Sequence, residues 1–398
     1  MPTSTAEKQK YSQHPEMLDA QSGKRKGPGW ARSVAWALVI FSAINVGLWN
    51  LEGRNKANAN DVFHGTGSID LAVNAYKALP EKPTVTLLGS SLIMFPFWSM
   101  DIALDRKNMI DIFHHHRSAA LEQKMQEAGF HKPTVFSFAV FGEMVSDAYI
   151  YANEFLKGEK KPEFIVYGIA PRDFSDADLS SPMTTNTFKR LVNLGNFPTY
   201  SDLYLPSLQE KLDFVLGRLC YFYGHRWRLQ QESNKVLEKA YILTGVHEEE
   251  KKIDFANAGF MLFGGEKERW KSSEEEYQRR YKNMSEKEIE GQMNFLKRLL
   301  EVARKNQIKV VVLNMPLAEM NRKILPPGFY AKFKQEIAAA CAQPGVKFVD
   351  LGESTEFKHD DFWDTAHLGP TGGMKLLPHL VPALQELRLE ATEPSTTK

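Results

Sequence analysis

A chain of 398 residues, 43% hydrophobic and 25% charged, can bury a sizeable core and is neither disordered nor all-membrane in composition. Its net charge of +1 supplies no general attraction for nucleic acid or for an anionic surface. Two cysteines, Cys220 and Cys341, exclude a disulfide framework and a cysteine-based zinc site, and leave only a single bridge open.

Residues 1–32 form a polar tail with a basic cluster at Lys24, Arg25 and Lys26, read as disordered. Ser33 to Leu51 carries no charged side chain and has Trp36 and Trp49 near its ends, which predicts a transmembrane anchor over 33–51. The preceding basic residues place the N-terminus in the cytoplasm and the rest of the chain on the other side, periplasmic or cell-surface. The long polar lead argues against a cleaved signal peptide, and the lack of an amphipathic stripe against a core helix. A linker over 52–82 holds one weak helix, about Ile69 to Leu79.

Thr84-Val85-Thr86-Leu87-Leu88-Gly89-Ser90-Ser91-Leu92 then reads as a buried strand that hands a hydroxyl to the carboxyl edge of a sheet. A mixed helical segment to Gly129 follows, then strands at Thr134–Val140 and Phe164–Ile169. This β-α-β-α-β order predicts a parallel sheet covered on both faces. From about 175 to 284 the rhythm breaks into a mostly helical insertion. The aromatic and basic run Tyr221 to Arg228 within it is read as core packing, with a membrane or partner surface as the alternative. Lys267 to Lys282 is read as a solvated charged stretch. Ser285 to Asn306 is an amphipathic helix, with Ser285 and Glu288 resembling a capping box. Ile308–Leu313 and Lys347–Leu351 are the last strands, separated by a helix at about Tyr330–Ala342. A closing helix runs from Thr371 towards Leu389 despite Pro378 and Pro382, and 391–398 is a loose tail.

Asp364-Thr365-Ala366-His367 precedes that last helix. A serine after the first strand and an Asp-x-x-His before the last helix supply a nucleophile, a base and an orienter. Gly89-Ser90-Ser91-Leu92 and Asp364-Thr365-Ala366-His367 together resemble the first and last blocks of the SGNH (GDSL-type) serine hydrolase superfamily. The resemblance implies a flavodoxin-like three-layer α/β/α domain over 83–390, with Ser91 as nucleophile, His367 as general base and Asp364 as its orienter. It implies no cofactor and no metal.

The middle blocks depart from the family. Ser137-Phe138-Ala139-Val140-Phe141-Gly142 has serine where the second block carries asparagine, and leaves Ala139 and Gly142 as candidate backbone donors to an oxyanion. Gly168 to Phe174 has no asparagine where the third block offers one. Arg172 stands there instead, as a replacement donor, a contact for a charged substrate group, or an ion-pair partner of Asp173. Asn314 ends the fourth strand at the same sheet edge and is a further cleft candidate, with a turn role equally open.

An N-terminal anchor before an SGNH-like domain is similar to the alginate O-acetylation and teichoic acid D-alanyl transfer proteins. That likeness implies acyl transfer to an envelope glycan or polymer beside a multi-spanning membrane O-acyltransferase, with the bilayer and no nucleic acid as surroundings. The alternatives are a stand-alone carbohydrate or lipid esterase, and an inactive SGNH-like assembly module. His114, His115 and His116 are read as a polar face or cleft contribution, because adjacent helical residues diverge by about 100° and cannot share one ion. Asn283-Met284-Ser285 matches a glycosylation sequon but is read as the cap of the helix that follows.

Overall fold

The computed structural model describes residues 29–55, 67–105, 111–179, 181–226, 230, 233–234 and 265–390. Five apolar runs form one parallel sheet: β1 (Val85–Gly89), β2 (Val135–Ser137), β3 (Phe164–Ile169), β4 (Lys309–Asn314) and β5 (Val346–Asp350). Their order is β2-β1-β3-β4-β5, that of a flavodoxin-like sheet. Helices cover both faces, so β1 and β3 are buried throughout and read in sequence as unbroken apolar runs rather than alternating ones. One helical layer packs α3 (Ser91–Leu104), α4 (Ala119–Glu127) and α14 (Pro370–Glu390) together. The other joins α5 (Val145–Phe155), α11 (Glu286–Lys305) and α13 (Phe329–Cys341). The three-layer α/β/α fold expected from the sequence is the fold of the protein.

The stretch read as one helical segment to Gly129 is two helices, α3 and α4, with a single 3-10 turn at Ile112–His114 between them. Asp101, near the end of α3, explains the break. Its carboxylate accepts the N–H groups of Ala119 (2.8 Å) and Ala120 (2.9 Å) at the start of α4. The expected helix near Ile69 is α2 (Gly67–Ala78). The insertion is helical where described, with α6 (Asn186–Leu191), α7 (Phe197–Tyr204), α8 (Leu208–Leu219) and α9 (Tyr221–Gly224). Residues 1–28, 235–264 and 391–398 lie outside the described residues, whereas Gly29 to Arg32, read as the end of the tail, are helical.

Two readings need correcting. Lys267–Lys282 is not merely a solvated stretch: it is helix α10 (Glu266–Arg280), which buries Ser273, Tyr277 and the following Tyr281 beneath a charged outer face. The capping box is half formed. Ser285 Oγ accepts the N–H of Glu288 (3.5 Å), but the Glu288 carboxylate takes a hydrogen bond from Ser175 Oγ (3.2 Å) instead of turning back. Both cysteines are free thiols.

α1 (Gly29–Asn55) contains an apolar window, Arg32–Asn50, long and apolar enough to cross a membrane. One glycine decides how close α3 comes to the sheet. Gly89 has φ +130°, and a Cβ there would stand 2.4 Å from the carbonyl oxygen of Gly168 and 3.0 Å from Ile93 Cγ2. Its absence lets the first turn of α3 sit directly on β1 and β3. Gly89→Ala is expected to lower the unfolding free energy by about 2–5 kcal/mol, from backbone strain plus overpacking, read as a lowered urea midpoint. An unchanged midpoint would mean that this close approach does not matter.

Candidate active site

Ser91 is the first residue of α3, and the residue before it does the capping. Ser90 Oγ accepts the N–H of Leu92 (3.5 Å), leaving the Ser91 hydroxyl for another partner. That partner comes from the far end of the chain. Ser91 Oγ lies 2.8 Å from His367 Nε2, and His367 Nδ1 lies 2.8 Å and 3.0 Å from the two carboxylate oxygens of Asp364. The three groups expected to converge from separate ends of the domain are in hydrogen-bond sequence.

Asp364 and His367 are buried, and Ser91 is half-buried. Burial alone would favour the neutral form of each of the two, but their mutual attraction and hydrogen bond prevail. Asp364 is held below the ordinary carboxylate range and His367 above the ordinary imidazole range. An ionised Asp364 can only accept, so it fixes the ring proton of neutral His367 on Nδ1. Nε2 is then left as the acceptor for the serine proton. The Phe95 ring, 4.9 Å between centroids from the imidazole, walls one side.

The loop that carries the base is tied down at several points. Asp364 Oδ1 accepts the N–H groups of Ala366 (2.8 Å) and His367 (2.9 Å). Thr365 Oγ1 shares a hydrogen bond with Ser273 Oγ (2.6 Å) on α10 and accepts from Asn321 Nδ2 (3.2 Å) on α12 (Glu319–Arg322). Trp363 N–H donates to the His367 carbonyl (2.7 Å). These contacts position the imidazole without touching Ser91. Sequence reasoning missed Ser273 and Asn321, and only the place of Thr365 inside the Asp-x-x-His motif signalled the third member.

The candidate oxyanion residues divide. The Ala139 N–H donates to Ser137 Oγ (3.3 Å), so it is engaged within its own loop. Gly142, at φ +73°, faces Arg172: a Cβ built on it would lie 3.5 Å from Arg172 Nη2. Arg172 is buried. Its Nη1 donates to the Glu143 carbonyl (2.9 Å) and to Asp173 Oδ1 (3.0 Å), its Nε donates to Asp176 Oδ2 (3.2 Å), and its Nη2 has no partner among the described residues. Of the three expectations for Arg172, the ion pair with Asp173 is formed, and the other two would rest on the spare Nη2 donor. Gly142 and Arg172 line a cavity of about 360 Å³ whose walls include none of Ser91, Asp364 and His367. A desolvated cation with one unspent N–H is matched to a developing negative charge.

Glu143 sits beneath this arrangement. Its Oε1 accepts the Gly89 N–H (3.1 Å) and its Oε2 has no partner. Burial, with Asp147 and Asp173 nearby, pushes its pKa well above the carboxylate range and favours the protonated acid. Nothing in the sequence marked it, because an isolated glutamate in a loop reads as a surface residue.

Asn314 turns to the other side of the sheet edge. Its Nδ2 donates to Asp350 Oδ1 (2.7 Å) and to the Tyr330 hydroxyl (3.1 Å), bracing β4 against β5 and α13. The three histidines form no polar helix face, since the 3-10 turn ends at His114 and His115 is buried. His114 is exposed beside Asp111, His115 Nε2 is 2.8 Å from Asp101, and His116 Nδ1 is 3.1 Å from the Ser137 carbonyl. Burial pushes the His116 pKa down to about 4, so it is a neutral packing residue stacked on Phe136.

Comparison with curated proteins gives no match. A family model described as "Protein of unknown function (DUF1574)" matches residues 86–384. That span takes in Ser91, Arg172, Asp364 and His367, and the chain belongs to this family.

Proposed function

We propose that this chain is a serine acyl-transfer enzyme of SGNH type, anchored in a membrane by α1 with its α/β domain on the extracytoplasmic side. The observation that carries the reading is the unbroken relay from Ser91 Oγ through His367 to Asp364, at 2.8 Å in each step. In the first half-reaction His367 Nε2 takes the Ser91 proton while Oγ attacks the acyl carbonyl. The developing oxyanion is met by the free Arg172 N–H and by backbone donors near Gly142. The carbonyl re-forms as the donor's C–O bond breaks, and His367 returns the proton to the departing alcohol. In the second, an acceptor hydroxyl gives its proton to His367 and takes the acyl group, which regenerates Ser91.

A sugar or polyol hydroxyl as acceptor makes the protein an O-acyltransferase working on an envelope glycan, beside a multi-spanning membrane acyltransferase. Water as acceptor makes it an esterase. A cleft of about 870 Å³, walled by Trp270 stacked on His359 and by the ring of Phe362, is large enough for such an acceptor, and none of Ser91, Asp364 and His367 lines it. A flat aromatic wall among charged side chains suits a carbohydrate ring. Assaying acyl transfer from an activated ester with and without a soluble glycan separates the two outcomes.

The test of the chemistry is labelling of the full chain with a fluorophosphonate, followed by peptide mapping. Label on Ser91 supports the reading, and none on the folded protein at high reagent concentration ends it. The pH dependence adds an independent check. The base must be unprotonated and the folded pKa of His367 is raised, so the labelling rate should climb with pH through a midpoint above about 6.5. A midpoint well below that value would show that Asp364 does not support the imidazole. Linkage runs the opposite way for folding. The His367–Asp364 attraction contributes stability from the histidine that is full below its unfolded pKa and lost as pH rises through the folded one.

A further inference from the structure

Helix α8 carries a row of leucines on the outside. Leu208, Leu212, Leu216 and Leu219 are 73%, 53%, 45% and 60% exposed, and Phe222 on α9 adds another 44%-exposed apolar side chain. Spacings of four, four and three put all four leucines on one face. The opposite face is what holds α8 to the domain: Phe214 is buried, with the ring of Phe197 stacked at 5.1 Å and that of Phe188 at 5.7 Å. Among the described residues, no packing accounts for a full apolar stripe turned outward on a helix whose core contacts are satisfied.

Helix α9 packs on α8 and also on α1. Asn45, a polar residue well inside the apolar window, is buried, and its Oδ1 accepts the N–H of Tyr221 (2.6 Å), the first residue of α9. Asn45 Nδ2 donates to its own Phe41 carbonyl (2.8 Å), so both ends of the amide are used. Trp49 packs edge-on against Tyr221 and His225, with centroids 5.3 Å and 5.1 Å away. A polar group inside a membrane span needs such a partner, and so does the first N–H of a helix that enters lipid. From Asn45 to Asn50, the end of the apolar window, is about 7.5 Å of helix at about 1.5 Å per residue. Interfacial helices bury their apolar faces by about 5–10 Å. The two depths agree.

We infer that α8 and α9 form a second, monotopic membrane contact, with the leucine stripe and Phe222 seated among the acyl chains of the leaflet that α1 leaves on the domain side. This rests on the reading of α1 as a bilayer-spanning anchor. The occupant is lipid, because α9, which packs on α8, is bonded within the apolar window to a helix whose own exposed surface is apolar (Val39, Ile40, Ile44 and Val46). The consequence is orientation: the domain is fixed against the bilayer at two places rather than swinging on a tether, so the Ser91 site faces the surface in one attitude.

A diazirine-bearing amino acid placed at Leu212 or Leu219 of the full chain, reconstituted in phosphatidylcholine–phosphatidylglycerol liposomes, tests this. Ile40 on α1 is the lipid-facing reference and Glu319 the solvent-facing one. Lipid adducts at Leu212 and Leu219 should come within about threefold of those at Ile40 and exceed those at Glu319 by on the order of tenfold. Adducts at Ile40 with only the Glu319 level at the stripe would overturn the inference while the anchor stands. Loss of adducts at Ile40 as well would remove the anchor and the inference together. In native membranes, adducts of the stripe with protein and none with lipid would also overturn it. Labels at Leu208 and Leu216 repeat the test if a first pair disturbs folding.

Discussion

Replacing Ser91 with alanine is expected to abolish fluorophosphonate labelling and to lower acyl transfer by roughly 10⁴-fold or more, with the fold intact. The size follows from the relay: without Oγ there is no atom for the acyl group, and His367 keeps Asp364 but has nothing to activate. The fold should survive because the cap belongs to Ser90 rather than Ser91, and alanine is favourable in the first turn of a helix. Stability should stay within about 0.5 kcal/mol of the parent in a urea titration. This makes Ser91 a cleaner probe than Asp364, whose carboxylate also accepts two backbone N–H groups of its own loop. An Asp364→Ala protein would lose the turn together with the charge, and its loss of activity would say little. Wild-type transfer by the Ser91→Ala protein would end the acyl-serine mechanism, whatever the distances.

Why the ends of the site were legible while its middle was not has a physical explanation. Val85 to Gly89 and Phe164 to Ile169 are buried on both faces of a parallel sheet, which leaves a continuous apolar run that no other environment produces so readily. The Asp364–His367 spacing encodes a local turn, so three residues suffice to show it. Helix α10 left no such trace. Its inward residues are few, with Ser273 and Tyr277 buried and Trp270 packed against the core, and fifteen residues of mostly charged sequence hide that stripe. It meets the base-carrying loop through the Ser273 hydroxyl on Thr365 and through Arg269 Nε on the Trp363 carbonyl, contacts between residues 92 and 94 apart that no pattern in the chain announces. The leucines of α8 mislead in the other direction, since an apolar stripe is read as core-facing until the structure shows it outside. Arg172 is the instructive case. Burying an arginine is costly unless acids neutralise it, and Asp173 and Asp176, one and four residues on, were the available hint.

Arg172 carries the second large effect, and two substitutions separate its roles. Arg172→Ala should destabilise the protein by about 3–5 kcal/mol, because it strands Asp173 and Asp176 in a buried setting and leaves the Glu143 carbonyl without its donor. Arg280 also reaches Asp176, which moderates the loss at that residue but does nothing for Asp173. Arg172→Lys keeps the positive charge and can satisfy the acids, yet a lysine has no planar fork and cannot hold three partners while presenting a fourth N–H beside Gly142. The lysine protein should therefore fold, with a urea midpoint much nearer the parent's than the alanine protein's. Its labelling rate at Ser91 should nevertheless fall by about 10²–10³-fold, the usual effect of removing one oxyanion donor. A lysine protein that labels at the parental rate would make Arg172 a structural counter-ion alone. The oxyanion would then have to be met by the backbone N–H groups of Ser91 and Gly142, without the side-chain donor that the arrangement around Arg172 Nη2 holds in reserve.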